Sequence, residues 1–216
     1  VILQIDIETL SPAIQYKLIS STIVPRPIAL ITTYSAETGH NAAPFSFFNA
    51  MGEDPPALVV ALENKRESNA LKDTTINIQK TGQFVVHMVN EAIVQAMNIC
   101  AIDFPYGINE IEQAGLTLTA SSTVEPKRIV EAPVAMECEK IECVQISPNR
   151  HIVIARIRCM HIQDELFDPD TFYINSEKYH PVGRMFGKLY TYTKDRFELT
   201  VPSYTEWNQR HHNDKT

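Results

Sequence analysis

Short β-branched runs separated by turn residues constrain this chain more than any other feature. Pro27-Ile28-Ala29-Leu30-Ile31-Thr32-Thr33 follows Pro25-Arg26, and Ala57-Leu58-Val59-Val60-Ala61-Leu62 follows Pro55-Pro56. Gln83 to Val89 is a third run. Val134 to Val144 alternates, with Val134, Met136 and Cys138 on one side and Glu137 and Glu139 on the other. His151 to Ile162 is long and rich in Ile and Val, with Arg156 and Arg158 on one alternate face. Phe172-Tyr173-Ile174 reads as a short strand. Strands at this spacing, bounded by Pro and Gly, predict a barrel or sandwich and not a βαβ repeat.

Fewer segments carry a helical period. Lys72 to Thr81 ends at Gly82, a C-cap, with Asp73 as N-cap. Asn90 caps a helix over Glu91 to Ile99, which places Ile93, Val94, Met97 and Cys100 or Ala101 on one face. Asn109 to Ala114, closed by Gly115, is a third. The expected class is therefore mainly β with a few helices. At 216 residues the chain reads as a single domain, 1–216, with a polar C-terminal extension after about Leu199. A domain of this size buries roughly 70% of its unfolded-chain surface and needs no disulfide or metal staple.

Charge and composition remove several functions. A net charge of −7 argues against nucleic acid as a partner, because phosphate neutralisation needs a basic face. It leaves room for one basic pocket, to which Arg26, Lys65, Arg66 and Lys72 could contribute. No apolar run approaches the ~18 residues of a membrane-spanning helix, so no membrane partner is expected. The first residues, Val1 to Asp6, lack a basic segment and do not read as a secretory signal. Cys100, Cys138, Cys143 and Cys159 form no C-x-x-C and have no zinc-finger His partner, so they read as reduced thiols of a cytoplasmic protein. No metal site is expected, His211-His212 in the polar tail included.

The familiar nucleotide and hydrolase signatures are absent: no G-x-G-x-x-G, P-loop, G-x-S-x-G or H-E-x-x-H. The densest unusual segment is Gly39 to Ala50, with Asn41-Ala42-Ala43-Pro44-Phe45-Ser46-Phe47-Phe48 at its centre. Small residues let a planar ligand approach the backbone, Asn and Ser offer partners to ring heteroatoms, and the aromatics supply an apolar wall. Individually Phe45, Phe47 and Phe48 read as core residues of a strand. Asn-Ala-Ala-Pro is a poor strand former, which points to a binding loop for the segment as a whole. Lys72-Asp73-Thr74 opens the first helix, where free N–H groups, a charge and a hydroxyl suit a phosphate.

These residues carry a resemblance. Val24 to Leu30, Asn41 to Phe48, Asp54-Pro55-Pro56, Lys72-Asp73-Thr74 and Thr81 to Val86 resemble, in order and spacing, the flavin reductase-like family. The resemblance runs over roughly 15–197 and extends to Ile129 through Cys138, Gly183-Arg184 and Tyr190. It implies the FMN-binding split β-barrel, built as a homodimer with flavin at the subunit boundary. It implies that Thr32, Thr33 and the loop Asn41, Ala42, Ala43, Pro44, Phe45, Ser46 and Phe47 contact the ring and ribityl chain. Arg26, Lys72 and Thr74 would hold the phosphate end, with Asp73 at the same site but turned away from the anion, and Arg184 would close over the flavin. The family pattern Gly-Arg-Leu-Gly-Gly is here Gly183-Arg184-Met185-Phe186-Gly187, so Phe186 stands where a small residue is usual.

The implied activity is an FMN-dependent oxidoreductase, with FAD as the alternative flavin and NAD(P)H as co-substrate. Reduced flavin or electrons would go to a flavin-dependent monooxygenase or another acceptor. The flavin carries such chemistry and the protein orients it, so no catalytic side chain is named. His87 and His40 are the nearest acid–base candidates. Two other classes compete: a flavoredoxin-like FMN electron carrier without efficient NAD(P)H oxidation, and a split barrel with no flavin. Yellow colour separates the last from the others, and NAD(P)H oxidation separates the first two.

Overall fold

The computed structural model describes residues 2–65, 68–104 and 108–213, with backbone alone at 210–213. Arg66 and the side chains of His211 and His212 lie outside that set. In chain order the elements are α1 (Pro12–Thr22), β1 (Ala29–Ser35), β2 (Gly39–Phe45), β3 (Phe48–Glu53) and β4 (Pro56–Glu63). They continue with α2 (Asp73–Thr81), β5 (Gln83–Met88), α3 (Val94–Ile99), α4 (Glu110–Gln113), β6 (Leu118–Thr119) and β7 (Arg128–Ile129). The last are β8 (Val134–Ser147), β9 (Arg150–Ile162), β10 (Val182–Arg184), β11 (Tyr190–Tyr192) and α5 (Tyr204–Asn213). Among the described residues no helix is long and apolar enough to cross a membrane.

Seven strands pair antiparallel in the order β2-β1-β5-β8-β9-β4-β3, forming a split barrel whose two edges are the sequence neighbours β2 and β3. Alternation along β1 explains how both faces are covered. Ala29 and Ile31 join Phe45, Leu58, Val60, Phe84 and Val86 in one core. Ile28 and Leu30 join Ala42, Ile93, Met97, Cys100 and Ile111 in another, under α3 and α4. The small strand pair β10-β11 is bridged to the residues just before β1 and just after β5, with Arg26 and Arg184 exchanging backbone hydrogen bonds of 2.8 and 2.9 Å.

Four sequence expectations change. Asn41 to Phe45 is not a loop; it is most of β2, paired from Ala29↔Phe45 to Ser35↔Gly39. Pro44 is tolerated because β2 is an edge strand, where a missing N–H breaks no ladder on the free side. Asp73 is the first helical residue of α2 and not its cap; Lys72 occupies the N-cap position with no side-chain capping bond. Gly82 closes the helix as expected, at φ 72°. The Asn90 side chain accepts from the N–H groups of Ala92 and Ile93, so it caps a turn, and α3 begins only at Val94. Phe172-Tyr173-Ile174 is not a strand: Phe172 sits at φ 60° in a turn held by Asp168.

Glu137 also departs from simple alternation. It is fully buried, although its neighbour Glu139 is exposed. Residues 122 and 123 lie over it and donate from Ser122 N–H, Thr123 N–H and Thr123 Oγ1, each at 2.6 Å, and His161 Nε2 adds a fourth bond at 2.6 Å. Cys159 completes a Glu137–Cys159–His161 group of possible metal donors, but both carboxylate oxygens are already engaged. All four cysteines are unpaired.

Candidate functional site

A cleft of about 390 Å³ opens along the β2 edge. Its floor is Asn41, Ala43, Pro44, Phe45 and Ser46. Lys72, Asp73 and Thr74 at the start of α2 form one wall, and Met97, Cys100 and the turn Ala101 to Phe104 form another. Arg184 and Tyr190 close one end. The volume falls in the range of ~300–1,000 Å³ typical of small-molecule sites. Ala43 and Pro44 give a floor without bulk, the shape a flat ring needs.

A buried polar chain fixes the α2 end of this cleft. Thr33 Oγ1 donates to Asn41 Oδ1, and Asn77 Nδ2 donates to Thr33 Oγ1 at 2.9 Å. Asn41 Nδ2 in turn donates to Thr74 Oγ1 at 3.0 Å. The register that sets Thr33 opposite Asn41 thereby positions the helix start against the strand edge. The first N–H groups of a helix have no intrahelical acceptor, and no side chain caps them here. Thr74 and Lys72 stand beside them, a donor set of the kind that can hold an anion.

Charges around the cleft are mixed. Lys65, Lys72 and Arg184 face Glu63, Asp73, Asp103 and Glu110. Asp73 is turned to Lys65, 3.8 Å away, which offsets its repulsion of an anion. Burial raises the Glu110 carboxyl above its ordinary range, and Asp73 adds to the rise. Burial also pushes the Cys100 thiol up to about 12, so it is not a thiolate nucleophile at neutral pH.

Of the fourteen residues expected at the site, nine line this cleft: Asn41, Ala43, Pro44, Phe45, Ser46, Lys72, Asp73, Thr74 and Arg184. The other five are placed elsewhere. Thr32 and Thr33 are fully buried, Thr32 donating to Lys127 O at 2.7 Å and Thr33 serving the polar chain. Ala42 packs in the outer core. The Phe47 ring packs against the guanidinium groups of Arg26 and Arg150, 5.7 and 5.2 Å from its centroid. Arg26 is 5% exposed and spends its donors on the carbonyls of Ser20, Ile23 and Met185. Phe186 is exposed at a turn and does not line the cleft beside Arg184.

Neither histidine reaches the cleft. His87 is wholly buried; its Nδ1 lies 2.9 Å from Leu30 O and its Nε2 accepts from Ile129 N–H at 2.9 Å, which ties β5 to β1 and β7. His40 packs against Tyr34 at a tilt, with 4.8 Å between centroids. Met97 and Cys100 were missed because they read as helix-face residues, and Glu110 because it read as part of a short helix. Only the docking of α3 and α4 against β2 brings them here.

The sequence profile of the flavin reductase like domain matches residues 20–183. A protein of Aquifex aeolicus is 39% identical over 186 residues, which cover 86% of this chain and 93% of that protein. The structure superposes on 2-nitrobenzoate 2-nitroreductase NbaA of Pseudomonas fluorescens with a TM-score of 0.86 and 40% identity, covering 94% of this chain and 98% of that one. Nitrilotriacetate monooxygenase component B from Bacillus cereus gives 0.85 and 31% identity, covering 92% and 99%. Fold, motif order and sequence identity agree, and the chain belongs to the flavin reductase-like domain family.

Proposed function

We propose that this protein is an FMN-dependent oxidoreductase that accepts hydride from NAD(P)H and passes electrons to free flavin, a flavin-dependent monooxygenase or another small acceptor. The observation that carries the reading is the uncapped α2 N-terminus, flanked by Lys72 and Thr74, at one end of a cleft floored by Ala43 and Pro44. When bound, the flavin supplies the hydride-accepting ring. The chain's own residues then bind and orient. Lys72, Thr74 and the α2 amides hold the phosphate, Ser46 and Asn41 offer polar partners along the floor, and Phe45 and Met97 exclude water. Arg184 over Tyr190, 4.4 Å from the ring centroid, bounds the open end.

Lys72→Ala and Thr74→Ala are each expected to weaken FMN binding by about 1–2 kcal/mol, the worth of a charge-assisted hydrogen bond. Riboflavin, which lacks the phosphate, should be nearly indifferent. Fluorescence titration of both flavins checks this, and equal weakening for the two removes the phosphate from α2.

A second reading is favoured by the 40% identity to the nitroreductase of Pseudomonas fluorescens: the final acceptor is a nitroarene. NADH oxidation by the FMN-loaded chain, with 2-nitrobenzoate compared to excess FMN, decides between them.

The protein is further proposed to be a homodimer. The interface is proposed beside the segment Asn41 to Phe48, with two flavins per dimer. Met51 on β3 and Ile141, Val144 and Ile146 on β8 are each at least 44% exposed in the single chain and are apolar side chains available to a second copy. Light scattering at micromolar concentration should give twice the mass of one chain. A monomer that binds FMN tightly would exclude a shared site.

A further inference from the structure

A second cleft, of about 520 Å³, lies on the other side of Arg184. It is bounded by Gln95 and Asn98 of α3 and by the β10-β11 hairpin with Lys188 and Tyr192, and it shares Arg184 and Tyr190 with the first cleft. Its charge differs in kind. The first cleft has four carboxylates among its lining residues; this one has Arg184 and Lys188 and no carboxylate. Glu91, just before α3, is paired with Lys194 at 2.8 Å. Two positive charges with no carboxylate beside them among the described lining residues, in a chain of net charge −7, are a local feature that attracts anions.

The partition between the clefts is held unevenly. The Arg184 backbone is fixed through its hydrogen bonds to Arg26. Among the described residues its guanidinium is held by Gly187 O and the face of Tyr190. Gly187 at φ 59° and the exposed Lys188 form the turn that carries this acceptor. A planar group entering the second cleft would meet Tyr190 and Tyr192, and its charge would meet Lys188 and Arg184.

We propose that the second cleft binds the partner that exchanges electrons with the flavin: a planar aromatic bearing an anionic group, seated against Tyr190 and Tyr192 with its charge on Lys188 and Arg184. The proposal rests on the flavin occupying the first cleft. The shared chemistry, an aromatic ring plus an anion, has two sources: the nicotinamide dinucleotide with its phosphates, or an aromatic carboxylate acceptor. Arg184 touches both occupants, so the two ligands meet at its position.

Lys188→Ala and the charge reversal Lys188→Glu test this, because Lys188 is exposed, does not line the first cleft and lies outside the core. The FMN-loaded chain is titrated by calorimetry with NAD⁺, with 2-nitrobenzoate and with neutral nitrobenzene. Lys188→Ala is expected to weaken one anionic ligand by about three- to tenfold, and Lys188→Glu by more, with nitrobenzene and FMN affinities unchanged. A change confined to NAD⁺ assigns the cleft to the electron donor, and a change confined to 2-nitrobenzoate assigns it to the acceptor. Anion affinities unmoved by both variants, in protein that binds FMN normally, overturn the proposal. Failure of the unaltered chain to bind FMN overturns the flavin reading instead, a separate outcome.

Discussion

Arg26→Ala is expected to destabilise the fold by roughly 3 kcal/mol or more, because several charge-assisted hydrogen bonds go at once. The guanidinium donates to Ile23 O at 3.0 Å, to Met185 O at 2.7 Å and to Ser20 O, and its Nε lies 3.4 Å from Ser46 Oγ. It therefore ties the end of α1 and the residue after β10 to the floor of the first cleft. Alanine leaves those carbonyls without their donor and opens a cavity beside Phe47. Lysine should recover less than half of the loss, since one ammonium cannot reproduce the planar fork. Urea denaturation followed by circular dichroism measures the stability, and an FMN titration should show weaker binding through displacement of Ser46 and Met185. Unchanged stability with a loss of affinity for FMN but not riboflavin would return Arg26 to the phosphate site that its sequence position suggests.

The second large effect is acid lability centred on His87. Burial lowers its pKa from the ordinary 6.5 to about 4, and its two ring nitrogens are used as one donor and one acceptor. Between those values the unfolded chain takes a proton that the folded chain refuses. The stability contributed by neutral His87 is thus full above about pH 6.5 and is lost progressively as pH falls towards 4. The loss totals roughly 3 kcal/mol. Glu137 extends the trend: burial works against its ionised form, but bonds from Thr123, Ser122 and His161 outweigh it and hold the carboxyl down to about 2. Its contribution is present above its ordinary 4.5 and fades below it. Urea midpoints should fall steeply from pH 6.5 to 4. His87→Gln should be less stable at pH 7.5 yet show a flatter slope over that interval. An equal slope in both proteins would move the acid-sensitive group elsewhere.

These placements show what the sequence holds and what it hides. β1, β4, β5, β8 and β9 are legible because each satisfies a local rule, a β-branched run closed by Pro or Gly. The segment from Asn41 to Phe45 was conspicuous for its composition yet read as a loop. An edge position tolerates Pro44 and small residues, and edge positions are decided by the order of strands, not by the strand itself. Thr32, Thr33 and Arg26 were expected to face a ligand because the family resemblance carries flavin contacts onto those positions. Alternation along β1 sends Thr32 and Thr33 to opposite faces, both covered, where they bond to Lys127 O and Asn41, and Arg26, bridged to Arg184 before β1 begins, turns its guanidinium to backbone carbonyls. Glu137 looked like one of two solvent-facing acids until residues 122 and 123 covered it. The wall from Met97 to Phe104 shows locally only an apolar helix face, since its role at the cleft comes from docking α3 across β2.

The most direct test of the central claim is the absorbance spectrum of the purified chain with FMN, recorded before and after anaerobic addition of NADH or NADPH. The account predicts a protein-bound flavin band that travels with the chain through gel filtration and bleaches when the nicotinamide is added. A chain that retains no FMN, or a bound flavin whose band persists in the presence of both nicotinamides, would contradict it.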